Sequence, residues 1–149
     1  MNEQFEPIEA EAHCDGPCGV YDPASARIAG EAVQSMTKKM LALECPDTND
    51  SASMAAYLNT MSRYASIKEE EAQKCKDELL VLWTDFFKPQ HLESIPNLHD
   101  IFWNAAKLCS ACKVEVSSAH AQELMDACEE IHNLFWSAKG LDVPWIRAS

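Results

Sequence analysis

The sequence predicts an all-α protein, an antiparallel four-helix bundle preceded by an irregular N-terminal hook. Three observations carry this expectation. Four segments place apolar residues in steps of three and four, the period of one face of a helix. Breakers are scarce: four Gly and seven Pro stand beside 20 Ala. The residues that do break helices cluster between those segments, leaving short links of the kind that join antiparallel neighbours. A chain of 149 residues is one domain by size and buries about 70% of its unfolded surface without staples.

Taken in order, residues 1–12 carry Glu3, Glu6, Glu9 and Glu11 and no basic residue. Ala10-Glu11-Ala12 has the look of a small-residue cleavage site, but a secretory signal needs a positive start and an apolar stretch. The segment reads as a short acidic leader or a frayed tail, not as an export signal. Next comes His13-Cys14-Asp15-Gly16-Pro17-Cys18-Gly19-Val20-Tyr21, whose Gly, Pro and Asp content suits no regular element. Asp22-Pro23 reads as an N-cap followed by proline at the first helical position. The first helix is expected from Pro23 to about Glu44, with Ile28, Ala32, Met36, Met40 and Leu43 on its apolar face. Cys45 to Asn49, with Pro46, is a loop.

The second helix is long. Its seam runs Met54, Leu58, Met61, Ala65, Lys68, Ala72, Cys75, Leu79, Leu82 and Phe86, broken only by Lys68. Ser51 or Ser53 is expected to cap it, and Lys88-Pro89 to end it. The third helix starts near Pro96 and carries Leu98, Ile101, Ala105, Leu108 and Cys112. The fourth carries Ala121, Leu124, Cys128, Ile131, Phe135 and Ala138, with Ser117 or Ser118 as cap and Gly140 at its C-terminal end. Trp83, Trp103 and Trp136 fall off these seams and are candidates to face other subunits.

Composition excludes several functions. Acidic residues number 24 and basic ones 12, a net charge of −12. Nucleic acid and anionic membrane both require clustered Lys and Arg, so neither is an expected partner. No apolar run approaches the ~18 residues of a membrane span. Seven cysteines, an odd number in a chain of this length, point to a reducing compartment with thiols as metal ligands or core residues.

Two constellations compete for the chemistry. In the hook, His13 and Cys14 are adjacent and Cys18 follows. Thiolates bind soft or borderline metals and imidazole suits nickel, copper and zinc. Adjacent ligands need an irregular backbone to wrap a metal, which Gly16, Pro17 and Gly19 supply; an ordinary surface loop is the other reading. The second constellation is Cys109 and Cys112 with Cys128 and His132, close to a zinc spacing. Cys112 and Cys128 also lie on apolar seams, where free cysteine is a small buried hydrophobe. His91, His99 and His120 read as solvated or capping groups. Glu69-Glu70-Glu71 reads as a solvated helix face. The Tyr21 hydroxyl closes the hook and could serve a small oxygen species or simply pack.

The stretch from His13 to Ala24, His-Cys-Asp-Gly-Pro-Cys-Gly-Val-Tyr-Asp-Pro-Ala, closely resembles the N-terminal nickel hook of the nickel-containing superoxide dismutases. That family opens its mature chain with H-C-D-x-P-C-G-V-Y-D-P-A. Leu82 to Pro89, His91, Pro96 to His99 and Phe135-Trp136 also fit, so the resemblance covers residues 13–139 with an insertion around 44–56. It implies a four-helix bundle, assembled as a homohexamer, made as a precursor whose leader (1–12) is cut by a protease to leave a mature domain of 13–149. It implies a cytoplasmic enzyme that converts superoxide to dioxygen and hydrogen peroxide, with one nickel ion per chain as cofactor. By the same resemblance the amine and imidazole of His13, the backbone amide and thiolate of Cys14 and the thiolate of Cys18 bind the metal. Tyr21 and Asp15 match the residues beside its open position, and Pro17 matches a proline whose cis bond shapes the hook. The alternative is a zinc- or nickel-holding helical bundle without turnover.

Several positions depart from the family pattern. Gly16 stands where some members carry leucine, Ala29 where some carry the glutamate that orients the axial imidazole, Glu71 near that glutamate's arginine partner, and Phe86 in place of a tyrosine. Ala29 cannot accept a hydrogen bond from a ligating imidazole, so Glu71 is expected to take over part of that role. Removing residues 1–12 leaves 20 acidic against 12 basic residues, a charge of −8. An anionic substrate then depends on local cations near the hook, with Lys88 and Arg27 as candidates.

Overall fold

The computed structural model describes residues 18–149. Helix α1 spans Ala24–Ala42. Asp22 Oδ1 accepts from the Ala24 backbone N–H at 2.8 Å, and Pro23 already holds a helical φ of −70°, so the Asp-Pro pair starts the helix as expected. Helix α2 spans Ser51–Val81. Its cap is Asp50, not Ser51 or Ser53: the Asp50 carboxylate accepts from Ala52 N, Ser53 N and the Ser53 hydroxyl. A carboxylate satisfies several orphan N–H groups at once and favours the positive helix end, which a serine hydroxyl does less well.

A π-turn over Leu82–Phe86 ends α2. The 3-10 turn Pro89–Glu93 follows, opened by the expected proline. Helix α3 spans Leu98–Val114 and α4 spans Ser118–Ala138. Ser117 caps α4 by accepting from His120 N at 3.2 Å. Beyond α4, Gly140 takes φ +71°, the left-handed end that glycine allows at least cost. The described residues contain four α-helices and no strand, and α1 packs on α2 and α4, which both pack on α3. That is the four-helix bundle read from the seams.

The first helix turns a different face inward from the one expected. Ile28 is 57% exposed, and the buried set is Ala26, Ala29, Gly30, Val33 and Thr37, with Glu31 and Gln34. Small residues let α1 approach the others closely. A Cβ on Gly30 would sit 3.1 Å from Met125 Sδ and 3.5 Å from Cys128 Sγ. Large apolar residues were the wrong guide here, because close approach rewards small side chains rather than bulk. On α2 the seam is buried from Lys68 to Leu82, while Leu58 is exposed and Met54 and Met61 are half-buried. With 31 residues against 19 in α1, α2 is longer by about 18 Å at 1.5 Å per residue. Ala138 is exposed as well.

Lys68, the single break in the α2 seam, is only 3% exposed. Its Nζ donates to the carbonyls of Cys112, of Lys113 at 2.9 Å and of Glu115 at 3.0 Å. The ammonium thus caps the C-terminal end of α3, where orphan carbonyls and the helix dipole favour a cation. Desolvation nonetheless pushes its pKa down from the ordinary lysine value.

The C-terminal residues strap α4 back to α1. Glu31 is 6% exposed and pairs with Arg27 at 2.8 Å and Arg147 at 3.5 Å. It also accepts from Ala148 N at 2.8 Å. Arg147 donates to Gln34, which donates to Gln122 on α4. His132 Nε2 donates to the Val143 carbonyl at 2.9 Å, with the Trp145 ring edge-on to it. Of the three tryptophans off the seams, Trp83 stacks on Phe102 and Trp136 packs edge-on to Phe135. Trp103 alone of the three stays exposed.

Candidate metal centre

His13, Cys14, Asp15, Gly16 and Pro17 lie outside the described residues. Cys18 and Tyr21 lie within them and mark where the hook joins the bundle. Cys18 is exposed and free. Gly19 follows with φ +62°, a left-handed backbone that a side chain would strain, so the chain can turn sharply just after the thiol. Tyr21 is half-buried, its ring 5.9 Å from that of Phe86. Val20, Tyr21, Asp22 and Ser25 from the hook side, with Glu78, Val81 and Leu82 from α2, line a cleft of about 100 Å³. This cleft is therefore built from the start of α1 and the end of α2 with its π-turn.

Phe86 sits at the centre of this corner. Its ring contacts Phe87, His91 and Phe135 as well as Tyr21. The π-turn sets this geometry: one extra residue before Phe87 shifts the register of the final turn. The aromatic cluster leaves the Tyr21 hydroxyl as the phenol of the Tyr21–Phe86 pair.

The expected local cations have other duties. Arg27 is paired with Glu31, and Lys88 Nζ donates to the Asp85 carbonyl at 2.7 Å. Ala29 is buried in the bundle core. The Glu71 carboxylate accepts from Lys74 Nζ at 2.6 Å. Glu78 was missed by sequence reading, although it lies seven residues beyond Glu71 and so on nearly the same face of α2. It is the α2 carboxylate that lines the cleft beside Tyr21. His91 accepts from the Lys88 backbone N–H, the capping role expected of it, whereas His99 accepts from the Trp83 indole and packs on that ring rather than capping.

The second constellation is core. Cys109, Cys112 and Cys128 are buried and free, and His132 is committed to the C-terminal strap. Among the described residues no group of three or more His, Cys, Asp or Glu could hold a metal ion. Burial pushes the Cys112 thiol up to about 11 from 9.0, as suits a small buried core residue.

The described residues define the class as an all-helical four-helix bundle, with an exposed free thiol, Cys18, just before its first helix. The sequence model of nickel-containing superoxide dismutase matches residues 8–139. The nickel superoxide dismutase of Streptomyces seoulensis is 41% identical, over 93% of this chain and 98% of its own. That of Streptomyces coelicolor is 36% identical over the same shares. A crystal structure of nickel-containing superoxide dismutase, with nickel ligation corresponding to the oxidised state, superposes with a TM-score of 0.73. It is 41% identical and covers 86% of this chain and 99% of that one. The chain belongs to the nickel-containing superoxide dismutase family.

Proposed function

We propose that the chain is a nickel-dependent superoxide dismutase whose metal is held by the hook, through the amine and imidazole of His13, the amide nitrogen and thiolate of Cys14 and the thiolate of Cys18. The observation that carries this reading is the family match, which takes in the whole His13–Ala24 motif. The donors fit nickel: two thiolates and three nitrogen donors suit a divalent ion of this size and softness, and Cys18 offers an exposed free thiol. When bound, nickel would supply a Ni(III)/Ni(II) couple able to oxidise one superoxide to dioxygen and reduce the next to hydrogen peroxide.

The protein's residues supply the rest. Cys14 and Cys18 bring anionic charge, and cleavage before His13 converts a flat peptide nitrogen into an amine with a free lone pair. Tyr21, packed on Phe86, presents a hydroxyl at the cleft, and Asp15 completes the polar surroundings. Either Glu71 or Glu78 is the carboxylate that α2 offers toward the missing Ala29 acceptor, and Glu→Gln at each position separates them. Residues 1–12 form a leader removed by a protease; 13–149 form the mature enzyme, one nickel per chain, a cytoplasmic homohexamer. Among the described residues no helix is long and apolar enough to cross a membrane.

The test is elemental analysis and superoxide consumption on protein beginning at His13, compared with Cys14→Ser and Cys18→Ser. The reading requires about one nickel per chain in the parent and loss of both metal and activity in each variant. Metal retained at full stoichiometry in both variants would move the site elsewhere.

A further inference from the structure

Three helices bring cysteine to one point in the core. Cys75 comes from α2, Cys109 and Cys112 from α3 and Cys128 from α4, and all are buried. Cys75 Sγ lies 3.9 Å from Cys128 Sγ, and Cys109 interacts electrostatically with Cys75. On the fourth side is Gly30 of α1, where an added Cβ would stand 3.5 Å from Cys128 Sγ and 3.9 Å from Cys75 Sγ. The Cys75 and Cys128 thiols therefore touch across two helices, with Cys109 near Cys75. The nickel site uses none of them, and among the described residues they do not form a metal-binding group.

We propose that this cluster is a buried oxidation site for hydrogen peroxide, the product of the enzyme's own reaction, in which Cys75 closes a disulfide with Cys128, the sulfur in contact with it, or with Cys109. One thiol, as thiolate, attacks a peroxide oxygen. The O–O bond breaks, hydroxide leaves and takes a proton to become water, and a sulfenic acid remains. A second thiol then attacks the sulfenic sulfur, the S–O bond breaks, and a second water leaves. In sum two thiols lose two protons and two electrons, and one peroxide is reduced to two waters.

The hydrogen bond from Cys75 holds the Cys109 thiol below its ordinary range, with Lys76 and Lys113 adding to the effect. Cys109 is thus the thiol readiest to be oxidised, and Cys75, in contact with Cys128 and interacting with Cys109, is placed to resolve either. A disulfide needs an S–S separation near ~2.05 Å. Closing from 3.9 Å takes side-chain rotation and a small approach of the helices. Access needs only local opening, since peroxide is not much larger than water; the reaction is accordingly slow and set by the opening frequency. The link would tie α2 to α4 or α3 and record how much peroxide the molecule has met.

The inference rests on the dismutase reading only for the source of peroxide, so the test adds peroxide as a reagent. Nickel-loaded enzyme is incubated with hydrogen peroxide, then denatured in an alkylating agent, digested and mapped by mass spectrometry. The expected result is a Cys75 peptide joined to the Cys128 or the Cys109 peptide, a loss of about 2 Da per link, and reversal by dithiothreitol. A Cys75→Ser variant should yield no linked peptide among these residues, whereas Cys45→Ser, at an exposed thiol, should yield the same link as the parent. The idea is overturned if Cys75, Cys109 and Cys128 all remain alkylatable while Cys45 is oxidised, or if they reach sulfinic acid singly without a link. A metal retained by these thiols in the Cys18→Ser variant would also overturn it, in favour of a soft-metal site.

Discussion

Cys18 and Cys112 are both free cysteines, and their surroundings separate their roles. Cys18 is exposed beside a left-handed glycine, whereas Cys112 is buried, with a thiol pushed up to about 11. A group whose folded pKa lies above its unfolded value stabilises the fold below the unfolded value and loses that contribution as pH rises through the folded one. The thiol should therefore contribute fully below pH 9 and lose roughly 2–3 kcal/mol between pH 9 and 11, at ~1.4 kcal/mol per unit. Urea unfolding across that range should show the loss in the parent and a flatter alkaline limb in Cys112→Ala. Lys68 works in the opposite sense, its lowered pKa favouring the fold as pH rises toward 10.5, so the variant comparison is what isolates the thiol. Lys68 also invites a direct substitution. Lys68→Met keeps the apolar stem but removes the donors to three carbonyls at the end of α3, and should cost roughly 2–3 kcal/mol by urea unfolding. A cost under about 0.5 kcal/mol would mean that water satisfies those carbonyls instead.

At the scale of elements, the four helices and most of their boundaries were legible because the period of three and four persists through α2, α3 and α4. The buried faces of α3 and α4 follow the expected residues nearly one for one, from Leu98 to Cys112 and from Ala121 to Phe135. The inner face of α1 was not legible. Its contacts are made by Ala26, Ala29, Gly30 and Thr37, residues whose value lies in being small, and no one-dimensional pattern marks a close approach. The strap was equally hidden, because Glu31 and Gln34 meet Arg147 and Ala148 across more than 100 residues of sequence. Its C-terminal partners, Val143, Arg147 and Ala148, lie beyond the residues that the family model matches. Ending the chain after Gly140 removes two partners of a buried carboxylate and the cover over His132. The truncated protein should melt about 5–10 °C lower, as expected of ~2–3 kcal/mol in a domain this size. An unchanged midpoint would make the strap incidental to stability.

At the scale of the whole molecule, the motif from His13 to Tyr21 was the most informative part of the sequence, and nothing in the helical pattern led to it. Helical seams define a bundle, and bundles serve many functions; the resemblance of twelve residues is what gave chemistry to this one. Charge enters at this scale too. Residues 13–149 carry −8, and Arg27 and Lys88 are engaged within the bundle, so long-range steering of superoxide is unfavourable. Raising ionic strength screens that repulsion within a Debye length of about 10 Å at 0.1 M, and kcat/KM should rise, or stay level, with added salt. A steep fall would show a local positive field that the described residues do not supply.

The proposed cleavage before His13 provides the most direct test of where the metal sits. In the uncut chain the His13 nitrogen belongs to a peptide bond and four glutamates precede it; after cleavage the same nitrogen is an amine with a pKa near ~8. Full-length protein and protein beginning at His13, given equal nickel, can be compared by elemental analysis and by superoxide consumption. The account predicts about one nickel per chain and turnover in the cut form, with little of either in the full-length form. Equal nickel content and equal turnover in the two forms would contradict it, because a metal centre that ignores the state of the His13 nitrogen is not built on that residue.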